Sequence, residues 1–317
     1  MDRIDGLSIV DLLRGALSLP IVSVVLAAIV AGLFLVLRPG APVRERDLAE
    51  RRVLGYGALT VVIVTAAETT LRDHVLPLAD VAAWWHYPVP LVTSALVLVA
   101  TLIVMRSAPA PSMPAGPSAR RAWTSFGSRA LFVSGGVFTG VLLATTLAAG
   151  LVSTSDDRGR YVLLDLPFAN TRQEPLRPWF FGWTYGIPVL IGMALLALAV
   201  WLALRENALR PFAAVDIGGQ RAQRAQIGTA MGLLATGAVL VVLGGAWRFI
   251  GESGGPATLT VGDDPVVYET TWRWSEYAVI AGGIAPMLEI IGFVLLLLTM
   301  RVLPAASRVE KRATVPA

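Results

Sequence analysis

Seven stretches of predominantly apolar residues decide what this chain can become. About 20 such residues make a helix long enough to cross roughly 30 Å of hydrocarbon. The stretches cover residues 17–37, 53–69, 88–105, 130–152, 187–204, 227–247 and 277–300. No water is available in lipid to satisfy the backbone, so each run has to close its own hydrogen bonds as a helix. The second and third runs are the shortest, which leaves a paired re-entrant hairpin as the alternative there. The expected fold class is therefore all-α, a polytopic transmembrane helical bundle of about seven spans. Composition agrees, with 55% hydrophobic residues and 15% charged, against about 25% charged in an average soluble domain.

Orientation follows from the basic residues, which accumulate on the cytoplasmic side of short connections. One set of connections carries 17 of the 26 Arg and Lys, including Arg44, Arg51, Arg106, Arg129, Arg205, Arg224 and Arg301, and the opposite set carries nine. The N-terminus is expected outside and the C-terminus in the cytoplasm, in a multi-pass protein of the plasma membrane. The sequence pI of about 9.8 is accordingly a topology signal. Basic residues scattered between apolar runs do not form a nucleic-acid-binding face. No small-residue cleavage site follows the first apolar run, so a cleaved signal peptide is not expected.

The connections divide the chain. Residues 1–106 form an N-terminal membrane segment with spans one to three. Residues 107–122 include SAPAPSMPAGPS, too rich in Pro, Ala and Ser to pack, and read as a cytoplasmic linker. Residues 123–302 form a C-terminal membrane segment with spans four to seven, and 303–317 a cytoplasmic tail. Two outer loops, 153–186 and 251–276, are long enough to make a small extracellular cap. The second reads as a β-hairpin, 257–261 with 266–272, around Gly262-Asp263-Asp264-Pro265, and 160–166 offers a third strand. The pair Asp156-Asp157 reads as a turn.

Spans three, five and seven each enter from an aromatic cluster and leave at an Arg, a pattern that fits three two-helix hairpins after a lone first span. It equally fits ordinary interfacial anchoring. Trp84, Trp85, His86, Trp183, Tyr185, Trp274 and Tyr277 belong to these clusters and are the expected rim of an outward-facing vestibule. With its Arg bias, Pro/Ala linker and Trp/Tyr-led spans, the chain resembles uncharacterised actinobacterial multi-spanning membrane proteins. The resemblance rests on this general pattern and implies no activity.

Glu289 is the sharpest single feature. It lies about twelve residues, roughly 18 Å, into the last span, near the bilayer midplane, where an ionised carboxylate is costly unless paired or hydrated. Gly282, Ala285, Pro286 and Gly292 share its helical face, so that face is expected to pack against helices and not lipid. Thr60, Thr139 and Thr236 sit at similar depth on other spans. A carboxyl converging with these hydroxyls is a candidate ligand or ion site; a protonated Glu donating one interhelical hydrogen bond is the structural alternative. No basic residue is expected at that depth. Glu68, Arg72, Arg248 and Glu252 fall near outer helix ends, where such charges usually reach to water.

Small residues at four-residue spacing, Gly136, Gly140, Ala144 and Ala148 on the fourth span and Gly228 and Gly232 on the sixth, predict close packing and central positions for both spans. His74 and His86, the two histidines, share one outer connection and are weak candidates for a metal; their spacing matches no compact ligand motif. Without cysteine there is no thiolate nucleophile, iron–sulfur cluster or Cys-ligated zinc. No phosphate-binding glycine loop, catalytic triad or HExxH motif appears, and no cofactor is indicated. The leading expectation is a non-enzymatic ligand-binding, transport-related or sensing subunit. A scaffold or accessory subunit of a larger membrane complex is the alternative, and an intramembrane enzyme a third. Expected partners are the lipid bilayer and a membrane protein or further copies of the chain, with no nucleic acid.

Overall fold

The computed structural model describes residues 20–37, 48–74, 82–108, 122–168, 174–212, 217–261, 266–270 and 272–303. Seven helices carry these segments: α1 Pro20–Leu37, α2 Leu48–His74, α3 Val89–Ser107, α4 Arg129–Val152, α5 Trp183–Leu209, α6 Ile217–Gly254 and α7 Ser275–Thr299. Six of them, α2 to α7, are long and apolar enough to cross a membrane, and α1 is a shorter apolar helix of 18 residues. The chain is a multi-pass integral membrane protein. At 27 and 19 residues, α2 and α3 reach about 40 and 28 Å. Both are crossing lengths, which removes the re-entrant hairpin.

Two helices run well past the apolar stretches that announce them. Helix α2 adds a charged turn at each end, with Glu50 and Arg51 at one and Glu68 and Arg72 at the other. Helix α6 has 38 residues, about 57 Å, and extends beyond the 227–247 stretch in both directions. It is buried along most of its apolar length and contacts α2, α3, α4, α5 and α7. Its closest partner is α7. Gly237, Gly244 and Gly251, seven residues apart, face Gly292, Ala285 with Glu289, and Gly282 on the antiparallel neighbour. A Cβ on Gly251 would lie 2.5 Å from the Gly282 Cα, so the two backbones touch. In lipid, such contact between small residues replaces the hydrophobic drive that packs helices in water.

Gly228 and Gly232 also serve packing, against the Phe126 backbone and the Leu131 side chain. The fourth span does not behave as expected. Gly136, Gly140, Ala144 and Ala148 all lie on the exposed face of α4, and a Cβ on Gly136 or Gly140 would meet nothing within 4 Å. Helix α4 is peripheral, and packs on α5 and α6 through Leu142, Thr146 and Ala149 on its other side. Spacing alone identifies a small-residue face but not whether protein or lipid covers it.

The bundle is tied at one end by a charged cluster. Buried Glu50 accepts from Arg210 Nη1 at 2.5 Å, and Arg51 donates to Gln226 at 2.8 Å. Arg224 donates to the carbonyls of Arg210 and Pro211 at 2.6 and 2.9 Å and lies 4.1 Å from the Phe212 ring. Helices α2, α5 and α6 are joined there.

At the opposite end the loops form a cap. Strand β1 (Thr154–Ser155) pairs antiparallel with β2 (Tyr161–Leu163), and β3 (Thr258–Val261) with β4 (Val266–Glu269). The second pair is the expected hairpin; its turn lies outside the described residues, as does nearly all of the Pro-rich linker. The segment 160–166 does not extend that hairpin, since β2 pairs within its own loop. An isolated bridge, Phe168 with Thr270, joins the two loops instead. Asp156 opens the expected turn: its carboxylate accepts from the backbone and side chain of Arg160, and Gly159 supplies the positive φ of 74°.

Candidate functional site

The cap end of the bundle holds a buried ionic constellation. Glu289, 4% exposed, accepts from Arg248 through both oxygens, Nε to Oε1 at 2.9 Å and Nη2 to Oε2 at 2.5 Å. Ser23 Oγ donates to Oε2 at 2.9 Å. Helices α1, α6 and α7 meet at this carboxylate. Gly244 makes the meeting possible, because a Cβ there would stand 2.6 Å from the Glu289 Cγ.

The Arg248 pairing corrects the expectation that no base reaches this depth. Two features of the chain explain it. Helix α6 continues to Gly254, so Arg248 lies six residues inside the helix and not at its edge. Side chains also tilt toward the N-terminus of their own helix, and on α6 that direction leads away from the cap and into the bundle. The pairing also displaces the reading of Glu289 as a protonated donor, since both of its oxygens act as acceptors.

A cavity of about 130 Å³ opens beside the pair. Thr65, Thr69 and Arg72 of α2, His86 and Tyr87 of the turn before α3, and Glu252 of α6 line it together with Arg248 and Glu289. Glu68 stands behind His86, its Oε2 against the ring Nδ1. The other Glu68 oxygen is buried with no hydrogen-bond partner among the described residues. Thr65 and Thr69 donate to the carbonyls four residues earlier, at 2.7 and 2.9 Å, which leaves their lone pairs available.

Aromatic rings wall this cavity from the cap. Tyr87 meets Phe181 and Tyr185 edge-on at 5.0 and 5.6 Å and stacks with Phe249 at 6.2 Å. Burial pushes the Tyr87 hydroxyl well above its ordinary range; Arg72 opposes the shift, while Tyr185, Glu252 and Glu289 add to it.

The other residues singled out from the sequence are dispersed. Thr60 is exposed and donates to the Tyr56 carbonyl at 3.0 Å. Thr139 and Thr236 do come together, but in a separate groove between α4, α5 and α6 that does not contain Glu289. None of the three stands level with Glu289: that residue packs on Gly244, two turns of α6 beyond Thr236, and on α2 Thr65 and Thr69, not Thr60, line its cavity. Of the aromatic rim, His86 lines the cavity and Tyr185 packs behind it. Trp183 covers Gly150, Trp85 packs edge-on against Trp84, and Trp84, Trp274 and Tyr277 are exposed, as interfacial anchors are. His74 closes α2, and its side chain lies outside what the structure describes. Among the described residues no three His, Asp or Glu side chains gather as a metal would require, and His86 is engaged by Glu68. Comparison with known proteins found no matching family model, no matching curated protein and no matching solved structure.

Proposed function

We propose that this chain is a non-enzymatic ligand-binding or transport-related subunit of the plasma membrane, with its N-terminus and cap outside, and that its cap-end cavity takes a small solute carrying both a positive and a negative group. The observation that supports this most directly is the cavity itself. A scaffold would be served by a dry, closed bundle, whereas here a space of about 130 Å³ with charged side chains in its wall reaches the buried carboxylate of Glu289. Its walls carry guanidinium groups from Arg72 and Arg248 and carboxylates from Glu252 and Glu289, with Arg248 and Glu289 already paired, so a solute of both charges would exchange with existing ion pairs. Such a pair of opposite charges matches a zwitterion of amino-acid size. Ionisable residues inside a membrane bundle are costly to keep and mark solute or proton pathways.

The test is thermal stabilisation of the purified protein by glycine, alanine and glycine betaine. A solute at 100 times its Kd adds about 2.7 kcal/mol. Glu252→Gln and Glu289→Gln should weaken the effect of a solute that works on the native protein. If no compound shifts the midpoint, or if both variants respond like the native protein, the cavity does not bind zwitterions.

A further inference from the structure

We propose that the groove between α4, α5 and α6 is a site for one anionic phospholipid of the leaflet at the arginine-rich end, with an acyl chain in the groove and the phosphate at Arg205. The groove has a volume of about 230 Å³ and is lined almost entirely by apolar and small residues, among them Leu131, Gly136, Met193, Trp201 and Val239. Gly136 forms its outer lip, and since a Cβ there would meet nothing within 4 Å, no side chain closes the groove to the bilayer. The hydroxyl of Thr139 donates to the Gly135 carbonyl at 2.7 Å, so this part of the wall turns no donor toward a hydrocarbon chain.

Length and charge select the occupant. From Met193 to Arg205 is twelve residues of α5, about 18 Å, close to the roughly 15 Å hydrocarbon depth of a single leaflet. Trp123 and Trp201, 42% and 43% exposed, stand where the groove passes into a neighbouring depression that contains Arg205. Indole rings take that position at the boundary between acyl chains and headgroups. The Arg205 guanidinium lies 5.5 Å from the Trp201 ring and is exposed at the headgroup level. The adjacent acid, Glu206, is engaged by Arg106 at 3.3 Å. A single aliphatic slot of leaflet length, with Trp at its mouth and a cation beyond, has the layout of one phospholipid. A helix from a second copy would instead follow the small-residue face of α4 along its whole length.

The experiment is native mass spectrometry of the full chain in mild detergent with equal phosphatidylglycerol and phosphatidylcholine. The native protein should retain one lipid and prefer phosphatidylglycerol by about fivefold, the factor equivalent to about 1 kcal/mol for one basic residue at a lipid headgroup. Arg205→Gln should bring that preference close to one while lipid is still retained. Gly136→Leu fills the slot from an open position, where helix propensity favours the change, and should abolish retention of both lipids without lowering thermal stability. Equal retention of the two lipids by the native protein, or undiminished retention by Gly136→Leu, would overturn the proposal. So would a native dimer that Gly136→Leu converts to monomer, which would assign the face to a second copy.

Discussion

Breaking the Arg248–Glu289 pair from one side only should destabilise the protein far more than removing it whole. Side-chain exposures are 11% and 6%, so both charges are nearly desolvated. With the groups in bidentate contact, their attraction at a separation of about 4 Å and an effective dielectric near 20 is roughly 4 kcal/mol. Glu289→Leu leaves an uncompensated guanidinium in the bundle and should cost about 3 to 5 kcal/mol, as should Arg248→Met for the carboxylate. For a chain of this size, that corresponds to a fall of about 6 to 20 °C in the unfolding midpoint. The double variant removes both charges and fills the space with apolar side chains. It should return to within about 1 kcal/mol of the native protein. Ser23 loses its acceptor only where Glu289 is replaced, and can then turn to a carbonyl of its own helix as Thr65 and Thr69 do. The assay is a double-mutant cycle on thermal or denaturant unfolding in a fixed detergent. A coupling energy below about 1 kcal/mol, or single variants as stable as the native protein, would refute the view that this pair is a desolvated lock between α6 and α7.

Gly251→Ala should lower stability by more than 1 kcal/mol, because its Cβ meets the Gly282 backbone at 2.5 Å, whereas Gly140→Ala on the open face of α4 should be neutral or mildly stabilising; unfolding midpoints of the two, compared side by side, check this. The raised Tyr87 hydroxyl means that the folded state favours its neutral form, so its contribution is complete below the ordinary value of 10.0 and is lost as pH rises further. Tyr87→Phe should flatten the alkaline limb of a stability–pH profile, and an unchanged limb would contradict the burial argument. Reporter fusions after Ser107 and after Arg301 should both read cytoplasm, since the 17 to nine division of basic residues assigns those ends to the inside; an exterior signal from either would reverse the orientation proposed here.

Much of the fold was legible because apolar length and helix crossing are nearly the same quantity in a bilayer. The seven stretches map onto seven helices, and the hairpin follows from strand alternation on both sides of a turn. What escaped was rotation and overrun. Thr60 faces outward, because hydropathy fixes only roughly how far along a span a residue lies and says little about its azimuth when every face is apolar. Arg248 looked terminal since hydropathy falls where charge begins, whereas the helix ends only when its backbone bonds end, at Gly254. The glycines at 237, 244 and 251 carried the missing signal. Their seven-residue period runs through the very stretch that ends in Arg248, and their match to Gly282, Ala285 and Gly292 would have put that residue beside Glu289. The face of α4 shows the converse: small residues recur there every four positions, and a Cβ on Gly136 or Gly140 meets nothing within 4 Å.

Helix α6 has no proline, while α5 and α7 each contain one, Pro188 and Pro286. It runs as one unbroken helix from the cap-end cavity to the cluster at the other end. Arg248 and Arg224 are 24 residues apart, about 36 Å along the axis, so a tilt of about 3° pivoting at one would carry the other sideways by about 2 Å. The hydrogen bonds from Arg224 to the carbonyls of Arg210 and Pro211, at 2.6 and 2.9 Å, cannot survive a displacement of that size. An event at Glu289 that tilted α6 as one body would therefore reach the far side of the membrane, without any signal passing residue to residue through the core.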